Sequence, residues 1–195
     1  MPLSNKELAE MFLPKVEIEK ISAEYGRIIE NYEKIRFETI REKYGLASMK
    51  EYQLLEIVAQ YIGKTVDYMF EKNYVKVENG YVKVLNLREN NLTDLPKEIG
   101  EFENLEELYL PNNQFEELPE IIRKLKKLRV LDISLNRLKY LPEWIGELEN
   151  LEKLYISYNK HELKYLPESI RKLKKLRVLR VDGCGFLSLT GGSGE

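Results

Sequence analysis

An α/β fold is what this 195-residue sequence predicts: a right-handed solenoid with a parallel concave sheet, preceded by an N-terminal helical domain and a capping β-hairpin. Three observations predict it. Five stretches, starting at Val82, Leu105, Leu128, Leu151 and Leu176, follow one template, L-x-x-L-x-L-x-x-N-x-L-x-x-L-P-x-x-I-x-x-L-x-x. Self-similarity at a short fixed period means that each copy is one turn of a stack. Residues 1–73 instead carry apolar side chains at helical spacing, and residues 74–84 alternate around Asn79-Gly80.

The helical part divides by its caps. Ser4 with Glu7 forms a capping box for a short first helix that Pro14 closes. A long helix starts near Lys15, and Ile18, Ile21, Tyr25, Ile28, Tyr32 and Ile35 recur at alternating spacings of three and four, one stripe for packing. Phe37, Ile40 and Tyr44 continue from a shifted origin, which predicts a bend or a change of packing partner near Arg36. Gly45 stops this helix, and Ser48 with Glu51 caps a third carrying Leu54, Leu55, Val58, Tyr61, Ile62, Val66, Met69 and Phe70. Three such helices predict a small shared core with Tyr25, Tyr32 and Tyr61 packed in it or at its rim.

Asn79-Gly80 is a type I′ turn signal, since both central residues need positive φ. The second arm of that hairpin runs into the first repeat strand, so the hairpin adds an antiparallel strand that shields the sheet edge. The chain therefore divides into a helical domain (1–73), the hairpin (74–84), five repeats (82–190) and a tail (191–195) of flexible-linker composition.

Within the repeats, Leu85 and Leu87, Leu108 and Leu110, Leu131 and Ile133, and Leu154 and Ile156 point inward and stack on the next turn. Asn90, Asn113, Asn136 and Asn159 stand where the chain leaves each strand, where a short amide can bond backbone groups that the bend frees; Cys184 takes that place in the last copy, buried and inert. Pro96, Pro119, Pro142 and Pro167 fit the first turn of a short helical or 3₁₀ segment whose Ile99, Ile122, Ile145 and Ile170 face the core. On the outer side, Glu101 and Glu103, then Lys124, Lys126 and Lys127, then Glu147 and Glu149, then Lys172, Lys174 and Lys175 alternate in sign, which predicts ion pairs between turns.

With four Leu-Pro copies and an asparagine column, residues 80–190 resemble leucine-rich-repeat proteins of the 23-residue L-P-x-x-I type, similar to Ras-associated, plant intracellular and Roco repeat domains. The resemblance implies a non-enzymatic module that binds a protein partner on the concave strand face. Carried over copy by copy, it selects Asn86, Arg88, Tyr109, Val130, Asp132, Leu135, Tyr155, Tyr158 and Arg180. These make a tyrosine-rich, mildly apolar centre around Asp132 with arginines towards the ends, the composition that interface hot spots favour. Lys160-His161-Glu162 expands the fourth repeat, as a surface insertion or a specificity loop. The alternatives are a structural self-associating protein, a homo-oligomer such as a homodimer formed through an open C-terminal end or the helical domain, and an engineered or truncated scaffold. The latter is suggested by near-identical runs at 122–131 and 170–179, which natural duplication explains equally.

Other classes find no support. The 31 basic and 33 acidic residues balance without a long single-sign block, which argues against nucleic acid and anionic membranes as partners. No Gly-rich phosphate loop, paired-histidine metal spacing or nucleophile beside a histidine is present, so neither catalytic residues nor a cofactor or metal is expected. A single cysteine excludes an intramolecular disulfide, and no signal-like apolar run opens the chain, which predicts a cytoplasmic protein. Abundant Lys and Glu beside only three glutamines predict a thermostable one.

Overall fold

The computed structural model describes residues 15–159 and 163–185. The expected first helix before Pro14, the Lys160-His161-Glu162 expansion and the tail lie outside them. The chain forms two compact units, Met1–Lys43 and Tyr44–Glu195, so the helices after Gly45 group with the repeats rather than with the long helix.

The long helix α1 spans Lys15–Tyr44. From Tyr25 onward its stripe does not enter a core: Tyr25, Ile28, Tyr32 and Ile35 are 58–67% exposed, whereas Phe37 and Ile40, on the shifted face, are buried. Among the described residues, this part of the stripe thus keeps helical periodicity while staying exposed. Among the described residues no helix is long and apolar enough to cross a membrane.

In the second unit the expected third helix is two. Helix α2 (Met49–Tyr61) ends ahead of Gly63, which takes φ +65°, and Thr65 then caps a short α3 (Val66–Glu71), its hydroxyl accepting from Tyr68 N at 3.2 Å. Ser48 caps α2 as expected, accepting from Glu51 N at 3.3 Å. The reciprocal half of the capping box is absent, because the Glu51 carboxylate instead accepts the Val82 N–H at 2.7 Å. Tyr52, Leu55, Val58 and Met69 are fully buried, and Tyr44 stacks on Phe70 with centroids 4.0 Å apart. This pair of helices closes the end of the stack beside the first repeat; Lys50 reaches Glu101 and Glu103, and the Tyr61 hydroxyl donates to Asp94 O.

The hairpin forms around Asn79 (φ 52°) and Gly80 (φ 83°), joining β1 (Val75–Glu78) to β2 (Tyr81–Asn86). Its register shifts by one residue beside Lys83, pairing Val77 with Val82 but Lys76 with Val84. Such a bulge adds twist and lets one strand serve an antiparallel neighbour and a parallel one. Strands β3 (Glu107–Tyr109), β4 (Val130–Asp132), β5 (Lys153–Tyr155) and β6 (Val178–Arg180) follow in chain order as one six-stranded sheet, parallel from β2 onward. Leu85, Leu108, Leu131 and Leu154 lie in register and are all fully buried.

The return segments are 3₁₀ turns at Lys97–Glu101, Glu120–Lys124, Glu143–Glu147 and Glu168–Lys172, each entered from a proline whose carbonyl accepts the isoleucine N–H three residues on. Ile99, Ile122 and Ile145 are buried and Ile170 half-buried. The third turn approaches the fourth so closely that a Cβ on Gly146 would stand 2.5 Å from Ser169 O; no side chain fits there.

The asparagines behave as a ladder. Asn136 donates to Leu110 O, Ile133 O and Ser134 O while accepting from Phe115 N, so one amide ties two successive repeats. Asn113 and Asn159 repeat the pattern. Cys184 keeps part of it, its thiol lying 3.1 Å from Ile156 O and its sulfur also meeting the backbone of Tyr158 and Asn159. The cysteine is half-buried rather than fully buried, and desolvation raises its pKa, which favours the unreactive thiol.

Candidate functional site: the concave strand face

Each strand leaves the core by the same route, and that route builds the face. The residue after the inward leucine of each strand points outward, which sets Asn86, Tyr109, Asp132, Tyr155 and Arg180 side by side in register on neighbouring strands. Parallel strands are about 4.8 Å apart, so Tyr109 and Tyr155 flank Asp132 at roughly 10 Å from each other. Asn86, Tyr109, Asp132 and Tyr155 are half-buried, and Arg180 is exposed.

The row is not uniform in what its members do. Asp132 accepts the Ser134 N–H at 2.9 Å, and Asn86 accepts the Arg88 N–H at 3.2 Å, so both hold the exit from the strand as well as facing outward. The Tyr109 hydroxyl donates to Glu107 at 2.6 Å. Burial, then that carboxylate, with Tyr155 and Asp132 beyond it, keep the Tyr109 phenol well above the ordinary tyrosine range, so it stays a neutral donor. Val130 shares the face by register but is only 6% exposed, flanked by Glu107 and Lys153 on the adjoining strands; it contributes little accessible surface.

Three residues past this row the backbone turns left-handed in every repeat: Glu89, Asn112, Leu135, Tyr158 and Gly183 have φ between 54° and 66°. Hydrogen bonds from Glu89 N to Pro111 O, Asn112 N to Ser134 O, Leu135 N to Ser157 O and Tyr158 N to Asp182 O carry the ladder past the strands and hold these residues there. Asparagine and glycine suit this conformation; leucine and tyrosine do not. Yet Leu135 is 51% and Tyr158 57% exposed, side by side on neighbouring turns, and the Tyr158 ring covers Gly183 so closely that a Cβ there would lie 2.4 Å from it. Arg88 stands exposed near the first turn.

Before the strands runs a second column that inspection of the outer segments alone misses. Lys83, Glu106, Arg129, Glu152 and Arg177 occupy equivalent positions and alternate in sign. Lys83 meets Glu106 at 2.7 Å, and Arg129 bridges Glu106 at 3.3 Å and Glu152 at 2.9 Å. The hydrogen bonds from Lys83 to Glu106 and from Arg129 to Glu152 hold those carboxyls below the usual carboxylate range. The expected outer network is thinner: Arg123 and Lys126 reach Glu147, while Lys127 and Lys175 go to the Asn104 and Asn150 amides.

The sequence profile described as "Leucine-rich repeat region" matches residues 73–189. No curated protein matches the chain. Among solved structures, the BIR3–SERK2 complex from Arabidopsis thaliana is similar over 57% of this chain and 62% of that one, at 28% identity and a TM-score of 0.50. The leucine-rich repeat domain of the type III effector XopL is similar over 64% and 43%, at 27% identity and a TM-score of 0.51. The ectodomain of the receptor kinase SOBIR1, also from Arabidopsis thaliana, shares the fold over 72% and 96%, at 21% identity and a TM-score of 0.53. The chain thus spans less than two thirds of the first two structures.

Proposed function

The chain belongs to the leucine-rich-repeat family, and from that premise we propose that it is a protein-binding module whose concave strand face takes a segment of a protein partner along the row Asn86, Tyr109, Asp132, Tyr155 and Arg180. The observation that carries this reading is the placement of Leu135 and Tyr158: large side chains held exposed in a backbone conformation that disfavours them, next to the tyrosine row. Strain of this kind costs about 1–2 kcal/mol per residue and tends to persist at sites of use. A similar fold determined as the BIR3–SERK2 complex agrees with a protein as the ligand.

Tyr109, Tyr155 and Tyr158 would serve as the aromatic anchors, Leu135 as the apolar contact, and Arg88 and Arg180 would select acidic groups at the ends of the bound segment. Affinity capture from lysate tests this with Tyr155→Ala combined with Tyr158→Ala, leaving Asp132 intact because its carboxylate holds Ser134 N. A protein retained by the unaltered bait and lost by an equally folded variant supports the reading; retention of the same proteins by both rejects it. Leu135→Asn sharpens the test: relieving the left-handed leucine raises stability by about 0.5–1 kcal/mol while capture weakens.

A further inference from the structure

The apolar stripe of α1, exposed from Tyr25 to Ile35, carries a period that the concave site does not use. Ile18, Ile21, Tyr25, Ile28, Tyr32 and Ile35 alternate at spacings of three and four through two and a half heptads. That average of 3.5 residues is the repeat of a two-stranded coiled-coil seam rather than of a helix laid on a curved protein surface. We propose that α1 pairs with α1 of a second copy of this chain along this stripe.

Four observations select a second copy as the occupant. Tyr25, Ile28, Ile29, Tyr32 and Ile35 are 53–67% exposed, an apolar surface on the order of 600 Å² per chain, which exceeds or equals the largest patch of a typical monomer and approaches the roughly 800 Å² per partner of a stable interface. The spacing of the six positions reads the same in both directions, so under a two-fold axis every apolar position meets another whichever way the helices run. Positions flanking the stripe hold Glu17, Ser22, Glu24, Ile29, Asn31, Arg36 and Glu38; running parallel, Asn31 faces Arg36 of the copy and Glu24 faces Ile29, with no like charges opposed. Finally, the helix carries seven acidic and seven basic residues, which gives an anionic membrane surface nothing to attract.

The measurement is the mass of the chain by sedimentation, from micromolar to hundreds of micromolar, for the unaltered protein and for Ile28→Lys combined with Ile35→Lys. Both sites are exposed in the single chain, so the variant folds, and Glu30→Lys off the stripe serves as the control. The expected result is a two-chain mass for the unaltered protein and the control, and a shift to one chain for the double variant, with the dissociation constant raised about a hundredfold or more by buried unpaired charge. A single-chain mass for the unaltered protein across the range overturns the proposal, as does a dimer that survives the double variant. Capture by the concave face is unaffected by these changes, so loss of one proposal leaves the other standing.

Discussion

The α1 helix and the solenoid both repeat apolar residues regularly, yet α1 leaves its stripe from Tyr25 to Ile35 in water and the solenoid buries the inward leucines of its central strands. Leu108, Leu131 and Leu154 are 0% exposed, while Ile28 and Ile35 are 58% and 67% exposed. In the solenoid, the 23-residue period ensures that each turn meets a copy of itself within the same chain, and register does the rest. In α1 the seven-residue period is equally regular but meets no copy of itself inside the chain. Periodicity thus states that a face needs a partner and what shape the partner has; only the connectivity decides whether the chain supplies it.

The largest effect that follows is a contrast between the two regions. Leu131→Ala removes a fully enclosed side chain from the middle of the stack and lowers stability by about 2–5 kcal/mol, because transfer free energy is lost and a cavity remains. Ile28→Ala, measured by urea denaturation at a concentration low enough to keep single chains, changes stability by less than about 0.5 kcal/mol. Equal losses at the two sites would mean that α1 is packed within the chain.

The next effect separates positions within the solenoid. Asn136→Ala deletes the donor to three carbonyls and the acceptor for Phe115 N, all within the stack, and costs about 1–3 kcal/mol through the groups it orphans. Cys184→Ala, at the equivalent place in the last repeat, gives up only weak sulfur contacts, to Ile156 O and to the backbone of Tyr158 and Asn159, and costs less than about 1 kcal/mol. Thermal melts of the two variants order them directly, and a Cys184→Ala loss as large as that of Asn136→Ala would break the idea that the ladder acts by tying successive turns.

Much of this was legible because the repeats are local rules applied five times. The inward leucines, the asparagine ladder, the proline-entered 3₁₀ turns and the Asn79-Gly80 hairpin follow from positions counted along the template. What was not legible depends on where distant residues meet. Glu51 looks like half of a capping box, yet its carboxylate is drawn to Val82, beside the bulge, 31 residues away. The left-handed turn at Leu135 and Tyr158 was hidden because those residue types argue against it, although Asn112 and Gly183 at equivalent positions carried the signal. Val130 reads as part of the face from alternation alone, yet between Glu107 and Lys153 in register on the flanking strands it is only 6% exposed. The alternation of Lys83, Glu106, Arg129, Glu152 and Arg177 was in the sequence throughout, in a column where charge rather than hydrophobicity repeats.

The smallest effect compares the two carboxylates that sit at the join of the helices and the sheet, because they answer pH with opposite signs. Burial raises the Glu51 pKa, against the opposing pull of the Val82 N–H and of Lys83. Its folded form binds a proton more readily than the unfolded chain does, so its contribution to stability is full below the ordinary carboxylate range and is lost as pH rises through the folded value. Glu106 is the reverse. The Lys83 ammonium, then Arg129, hold it below the ordinary range, so its contribution is present above that range and is lost as pH falls through the folded value. Acidification from neutrality should therefore first add to stability at Glu51 and then remove it at Glu106. Glu51→Gln, which keeps an oxygen for Val82, flattens the first limb, and Glu106→Gln reduces the second by less than about 1 kcal/mol, since its partners are partly solvated. Denaturation series at stepped pH read both slopes, and an unchanged first limb in Glu51→Gln would show that the buried carboxylate at the mouth of the stack is not what titrates there.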